Sequence, residues 1–455
     1  MERSAVESKF AKYVISSMIT MFLQSFYSIV DGLFISNMVG GVGLSAINVV
    51  WPIIAVIVAV GAGVGSGGSV LMSIKQGEGK QDESNVIRGN IISLLAVVGV
   101  ILMIVFSIGL SPSLQLMGAK GKIYNYGMQY GLIMVLGSCI EVYAAGLTPL
   151  LRNDSRAVSS MVIMISGLAC NILLDFVFIA ICHGGIIGAA LASLLSQCLT
   201  SLSCIVVLIC NKDNPLRKAH FVLSAKKMKK IFITGISPFG ISLTPSLLIL
   251  YNNVACIHYG GDAGIAIYSL VSSTIGSYRL LLIGVADGIQ PLVSFTKGAN
   301  DYKAMKRIRN RGIRVAIGLS ILLFLFTLLT EKCYGALFGF SKDITKMSLL
   351  PITLEATQLI FTGMVRVSNS FFYAVGKTRY SLFMIYFDPV VMTPVILMLL
   401  PRMMGMNGVW ISTTISQVIL NIVAVVMYVR HNREITIQYE RGEAVYERDR
   451  DYIEA

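Results

Sequence analysis

The sequence predicts an all-α polytopic membrane protein: twelve transmembrane helices in two six-helix bundles, related by a pseudo-two-fold axis along the membrane normal. Three observations carry this. Of 455 residues, 55% are hydrophobic and 13% charged, against roughly 25% charged in a soluble domain, and the mean hydropathy is +0.74. Runs such as 91–110, 313–330 and 381–400 approach the ~20 residues a helix needs to cross a bilayer core. The second half of the chain also repeats short blocks of the first.

The apolar runs place spans at 10–37, 45–74, 87–110, 123–148, 156–181, 186–210, 231–257, 263–295, 312–330, 348–374, 379–400 and 407–429. The first follows a short charged lead without a small-residue cleavage site and reads as a retained helix, not a signal peptide. The second contains Gly61-Ala62-Gly63-Val64-Gly65-Ser66-Gly67-Gly68. That run lacks the GK[ST] ending and the preceding strand of a phosphate-binding loop, so it reads as close helix packing. A polar, Lys-rich linker at 211–230, containing Pro215, separates a lobe at 1–210 from a lobe at 231–430. Residues 431–455 read as a charged cytoplasmic tail, either a solvated helix or a frayed segment.

Between these spans, 29 of the 37 Lys and Arg fall on one side and six on the other; Arg279 and Arg366 lie inside spans. By the positive-inside rule both termini are cytoplasmic, in a multi-pass chain of the cell (inner) membrane. The same distribution assigns the net charge of +13 to topology and not to nucleic acid. Eight Cys with no CxxC read as small apolar core residues. No metal-ligand spacing and no nucleophile–base constellation appears, which argues against a membrane enzyme.

The repeat is explicit. Gly40-Gly41-Val42-Gly43-Leu44-Ser45-Ala46-Ile47 matches Gly260-Gly261-Asp262-Ala263-Gly264-Ile265-Ala266-Ile267 at an offset of 220. Lys75-Gln76-Gly77 is echoed by Thr296-Lys297-Gly298, and Ser155-Arg156 by Thr378-Arg379. Six spans per half give both halves the same orientation. Two such bundles can rock about a central site, the architecture of alternating access; duplication also builds channels and membrane enzymes.

Ionisable groups inside spans mark ion or substrate pathways. Here they are Asp31, Glu141, Asp175, Asp287 and Asp388, with Glu355 in the tenth span. Asn171 and Asp175 share one helix face, one turn apart. A carboxylate beside an amide oxygen makes a half-site for Na⁺, and the same carboxylates, desolvated, can carry H⁺. The alternative is that Asp31 and Asp175 are static helix–helix contacts. Arg279, Asp287, Arg366 and Asp388 either pair with one another or line a substrate cavity. Glu141 has no sequence-local partner and joins the cavity candidates.

Several of these runs resemble one family. They are Tyr27-Ser28-Ile29-Val30-Asp31-Gly32, the Gly77/Gly79 loop, Arg152-Asn153-Asp154-Ser155-Arg156, Asn171-Ile172-Leu173-Leu174-Asp175-Phe176, Gly188-Ala189-Ala190-Leu191-Ala192-Ser193 and Gly288-Ile289-Gln290-Pro291. Together they resemble the MATE (multidrug and toxic compound extrusion) transporters over residues ~10–430, within the superfamily that also holds lipid-linked oligosaccharide flippases. The prokaryotic drug-exporter branch is the nearest in pattern. The resemblance implies a cation-coupling site at Asp31, Tyr130, Asn171, Asp175 and Ser193, with Na⁺, if used, at Asp31, Asn171 and Asp175. Two positions depart from the pattern: Thr148 stands where the family has Asn, and the first helix has Ser16 and Ser17 but no Pro. Pro238 is the candidate counterpart in the seventh helix. That helix has no acid at 232–251, so the seventh-helix ion site of other branches is not carried over.

The implied function is a secondary antiporter that exports amphipathic organic compounds, cationic drugs or metabolites, against inward H⁺ or Na⁺. The alternatives are an exporter of anionic or zwitterionic metabolites through the Arg-containing C-terminal lobe, and a lipid-linked sugar flippase. The flippase is disfavoured because the interiors of the first six spans carry acids and no base. Expected partners are a small-molecule substrate and the lipid bilayer, without nucleic acid, for a monomer that needs no cofactor beyond its coupling ion.

Overall fold

The computed structural model describes residues 3–211, 215–337 and 342–440; within these, the side chains of 3–8, 28–29, 31–33, 36–37 and 436–440 lie outside the description. No strand occurs among the described residues. Twelve helical spans follow in order: α1 (Arg3–Met38), α2 (Gly41–Gly77), α3 (Gln81–Leu116), a bent α4 (Gly121–Leu136 with Ser138–Asn153), α5 (Ala157–Ile181), α6 (Gly185–Ile209), α7 (225–260), α8 (262–298), α9 (Tyr302–Thr330), α10 (Lys342–Ala374), α11 (Thr378–Met404) and α12 (Met406–Glu440). Helix α7 runs into α8 through Gly261 (φ 58°, ψ −151°), and Gly40 (φ 84°) makes the matching α1–α2 joint. A Cβ disfavours that backbone region, so the sequence repeat extends to turn chemistry.

The outer faces are apolar. On α3, Val97, Val100, Ile101, Ile104, Val105 and Ile108 are each at least 40% exposed. Their spacing draws one continuous helical stripe. A soluble protein hides such a stripe, whereas hydrocarbon solvates it. The chain is a multi-pass membrane protein.

Two compact units form: Ile19–Leu243, and Met1–Met18 together with Thr244–Ala455. Each therefore takes a half-helix from the other half of the sequence. In the first unit, a Cβ added to Gly63 or Gly67 of α2 would lie 3.0 Å or 2.5 Å from the backbone of Gly235 on α7. In the second, a Cβ on Gly284 or Gly288 of α8 would lie 2.8 Å or 2.6 Å from the backbone of Met18 or Val14 on α1. Positions 14, 63 and 67 become 235, 284 and 288 at a single offset of 221, so one seam is built twice. The remaining glycines of the Gly61–Gly68 run face other neighbours. Gly61 meets Val142, Gly65 meets Gly146 and Gly68 meets Ile91. The run is a packing surface for α3, α4 and α7, as close helix packing requires.

Three features go beyond what the sequence pattern shows. The fourth span is two helices bent by 57° at Gly137, a break that hydropathy alone does not register. The linker is strapped to α3: Asn90 donates to the Val222 carbonyl (3.0 Å) and accepts from the Ser224 N–H (3.0 Å), and a Cβ on Gly89 would lie 2.1 Å from the His220 carbonyl oxygen; residues 212–214 of the linker lie outside the described residues. The start of the charged tail is helical: α12 continues to Glu440, with His431 fully buried while Arg433 and Glu434 are exposed; the rest of the tail, 441–455, lies outside the described residues.

Gly65→Ala should lower the melting temperature of the detergent-solubilised protein, because its Cβ would meet the Gly146 backbone at 2.2 Å and overpacking costs about 1–3 kcal/mol. Gly109→Ala, with nothing within 4 Å, should not lower it.

Candidate functional site

Among the residues expected to hold a coupling cation, Tyr130 on α4 and Asn171 and Asp175 on α5 are buried, at 6%, 2% and 1% exposure. Ser193 on α6 is partly exposed. The helix of Asp31 is described, but its side chain lies outside the described residues. Thr148 is turned into its own helix: its hydroxyl donates to the Ala144 carbonyl (2.8 Å), and its own carbonyl accepts from Ser160 (3.1 Å).

Both amide atoms of Asn171 are buried without a hydrogen-bond partner. A buried polar group left unsatisfied costs roughly 1–3 kcal/mol. A cation on the amide oxygen would relieve the part of that cost that belongs to the oxygen. Asp175, one turn on, ends the regular part of α5; the next six residues, Phe176–Ile181, form a π-turn. Such wide turns recur at functional positions in helices. The donor set of amide, carboxylate and hydroxyl oxygens fits a hard monovalent cation or a proton. Among the described residues no group of three His, Cys, Asp or Glu is arranged to hold a metal ion.

Glu141 sits in the first turn of Ser138–Asn153, just past the bend, and is 4% exposed. The partial positive charge of a helix start favours a carboxylate there.

The second unit uses the same backbone device differently. Asp388 opens a π-turn, Asp388–Met392, in α11 and is buried. It accepts hydrogen bonds from the Thr393 hydroxyl (2.8 Å), the Ser416 hydroxyl and the Gln417 amide (3.3 Å). Arg366 lies within electrostatic reach of Arg279, Asp287 and Asp388. Glu355 is buried, accepts from the Gln358 amide and feels Arg279. The five charges singled out on α8, α10 and α11 thus interact through space. Arg279, Asp287 and Arg366 keep partial exposure. Sequence reading missed Gln358, Ser416 and Gln417. The run Ser412-Thr413-Thr414 with Ser416-Gln417, polar residues inside an apolar span, was the signal that could have found the last two.

Near the start of α3, Arg88 forms a buried ion pair at 2.9 Å with Asp154 of the loop after α4, and Gln76 and Asn211 donate to the same carboxylate (3.2 Å and 3.1 Å). Burial lifts the Asp154 carboxyl above the ordinary carboxylate range, and Arg88 pulls it back only in part.

Replacing Asn171 by Leu should leave the melting temperature unchanged or raise it, because the amide it removes is unsatisfied. Asp388→Leu should lower stability by roughly 2 kcal/mol or more, because it orphans buried donors. Thermal unfolding of the two variants in one detergent checks both.

The MatE family model matches residues 16–177 and 241–398. Similar proteins include the multidrug export protein MepA of Staphylococcus saprophyticus subsp. saprophyticus, 24% identical over 445 residues, covering 95% of this chain and 96% of the relative. MepA of Staphylococcus haemolyticus is 24% identical over 435 residues, 95% of each chain. Among solved structures, a MOP superfamily transporter from Pyrococcus furiosus, described as having a binding pocket of reverse polarity, superposes with a TM-score of 0.88 at 23% identity, covering 93% of this chain and 95% of that one. An outward-facing multidrug resistance MATE transporter gives a TM-score of 0.87 at 24% identity with the same coverage. At these identities the structural likeness is one of fold.

Proposed function

The chain belongs to the MatE family, and on that footing we propose that it is a secondary antiporter exporting amphipathic organic compounds, chiefly cationic drugs or metabolites, in exchange for inward H⁺ or Na⁺. The observation that carries this reading is the unsatisfied Asn171 amide beside the buried Asp175 carboxylate, at a π-turn in a lipid-spanning helix. The names of the staphylococcal relatives supply the substrate class.

The mechanism follows from charge. With the cation absent, Asp175 is a desolvated anion and Asn171 an unsatisfied dipole. A proton or Na⁺ neutralises the first and coordinates the second. The two conformations of an alternating-access cycle then exchange rank in energy, by the difference in cation affinity between them. Asp31, Tyr130 and Ser193 complete the ligand set in this proposal. Inward movement of one charge releases ~2.3 kcal/mol per 100 mV. With one net charge per cycle, that supports a substrate ratio of roughly 50, since 1.4 kcal/mol is a factor of ten. The basic loops place both termini in the cytoplasm and the chain in the cell membrane in this reading.

A second reading has one observation in its favour: Arg279 and Arg366 remain partly exposed on α8 and α10. Guanidinium groups there would recognise carboxylates or phosphates, making the substrates anionic or zwitterionic.

The test is efflux from proteoliposomes under a pH gradient and a Na⁺ gradient imposed separately. Dye cations should be moved by at least one of them, and that gradient identifies the coupling ion. Asp175→Asn and Asp31→Asn should insert normally and lose gradient-driven export; normal export by both would overturn the coupling site. If no cation of a broad panel moves while anionic or lipid-linked substrates do, the second reading or the flippase replaces the first.

A further inference from the structure

Glu141 is a buried charge that the coupling site leaves unused. It is 4% exposed, in the first turn after the 57° bend of α4. Among the described residues, no hydrogen bond or ion pair reaches its carboxyl. One turn to either side on the same helix stand Gly137, where a Cβ would lie 2.2 Å from Leu194 of α6, and Ala145, whose Cβ would lie 3.1 Å from one on Gly61 of α2. No Lys or Arg lies in the interior of the unit's spans, so no fixed cation sits at this level. Lys75 and Arg88 lie at the loop ends of α2 and α3, engaged by Glu78, Glu83 and Asp154. Arg152 lies eleven residues, about 16 Å, further along α4. Inside the spans, the titratable side chains on the packed elements α2, α3, α5 and α6 are Cys170, Asp175, Cys198 and Cys204. On α4 itself the nearest are Tyr130, Cys139 and Tyr143, and α1 brings Asp31, whose side chain lies outside the described residues.

Contacts between α4, α5 and α6 fix its level. Ser160 of α5 donates to the Thr148 carbonyl of α4 (3.1 Å). Seven residues from that bond, about 10 Å along each helix, lie Glu141 on α4 and Gly167 on α5. A Cβ on Gly167 would meet the Thr200 hydroxyl oxygen of α6 at 2.2 Å, and the adjacent Ser201 hydroxyl donates to the Ile140 carbonyl (3.1 Å). Glu141 therefore lies about one helical turn nearer the 154–156 loop than Asn171, and about two turns nearer than Asp175. The other unit shows the same position without an acid. Its frame repeats at an offset of 221, since Ser381 donates to the Asn369 carbonyl (3.4 Å) as Ser160 does to that of Thr148. Glu141 then corresponds to Thr362, which donates to the Gln358 carbonyl of its own helix (2.9 Å), and α10 is a single helix from Lys342 to Ala374. The scaffold is complete with a hydroxyl there, so packing does not ask for the acid.

We propose that Glu141 is a second exchangeable proton site of the Ile19–Leu243 unit, separate from the Asn171–Asp175 pair, and that its proton travels with each transport cycle. A carboxylate buried without a counter-ion is costly, and with no fixed cation at its level the neutralising charge has to be mobile. The helix start at the bend favours the anion and the apolar packing favours the neutral acid, so each form has a physical support. A hard metal cation is held by several oxygens at once, whereas a proton needs only the carboxylate. The step is balanced within the site. The carboxylate takes H⁺ from water on one side, forming one O–H bond, and returns it to water on the other, breaking the same bond. The role in the cycle rests on the antiporter reading; the proton site itself does not.

The experiment has two arms. In the first, the full-length protein in liposomes is titrated across the neutral pH range, and the C=O stretch of protonated carboxyl groups is followed by infrared difference spectroscopy. The wild type should lose a carboxyl band as pH rises; Asp175→Asn should keep that component and Glu141→Gln should lack it. Should Glu141→Gln not fold, Glu141→Thr, the residue of the repeat-related position, takes its place. In the second arm, export of a lipophilic dye cation is driven by an imposed membrane potential. Glu141→Gln should reach a lower steady dye ratio, by roughly 50-fold at 100 mV for one charge fewer per cycle, while Glu141→Asp, which keeps a carboxyl, retains the wild-type ratio. The same titrating band in wild type and folded Glu141→Gln overturns the proton site, and a wild-type dye ratio in Glu141→Gln overturns its place in the cycle. A wild type that exports no dye sinks the antiporter reading, and the infrared titration then decides the Glu141 site by itself.

Discussion

Close approach of helix backbones is the constraint on which the structure depends. Lipid tails are as apolar as leucine, so burial of apolar area gives helices little reason to associate in a bilayer. Van der Waals contact has to do it, and that needs small residues at the crossing points. Gly63, Gly65 and Gly67 on α2, and Gly284 and Gly288 on α8, let neighbouring backbones approach where a Cβ would come within 2.2–3.0 Å of them. These seams also set the boundaries of the units. Because the beginning of α1 is held by α8 and the beginning of α7 by α2, each unit contains a half-helix that the sequence assigns to the other half.

Within that frame the polar side chains divide into two kinds. Asp388 is surrounded by donors and is fully engaged inside its own unit. Asn171 is equally buried and has none of this support. Both belong to helices interrupted by a π-turn next to an aspartate, so the halves share the backbone device and differ in how its charge is satisfied. An unsatisfied amide persists at a cost in stability, and such costs collect at sites that act on a ligand. The same divergence appears between α4 and α10. There a buried acid in one unit, Glu141, is replaced by Thr362 in the other. Duplication supplied two copies of one scaffold, and each copy has its own electrostatics.

Much of this was legible in the sequence. Twelve spans, the parallel repeat, the packing role of the Gly61–Gly68 run and the burial of Tyr130, Asn171 and Asp175 follow from hydropathy, spacing and resemblance. These are properties of one residue or of residues a turn apart. The bend at Gly137 was not legible, because Gly131, Gly137 and Gly146 look alike in an apolar run. Nor was the π-turn after Asp175, whose Phe-Val-Phe-Ile-Ala-Ile sequence has no proline to announce it. The strapping of the linker to α3 by Asn90, and the burial of His431 in what reads as a charged tail, depend on partners far along the chain.

By itself, the sequence determined that the chain lives in a membrane, how many times it crosses, and which few ionisable residues it carries inside. Each of those is decided by the transfer cost of a short segment between water and lipid. Only the tertiary structure decided which buried polar residues meet a partner. Asp388 lies 28 positions from Ser416 and Arg88 lies 66 from Asp154, and Asn171 is left with no partner from anywhere in the described chain. Satisfaction of a buried polar group is a property of the space around it, set by helices that the local pattern does not connect.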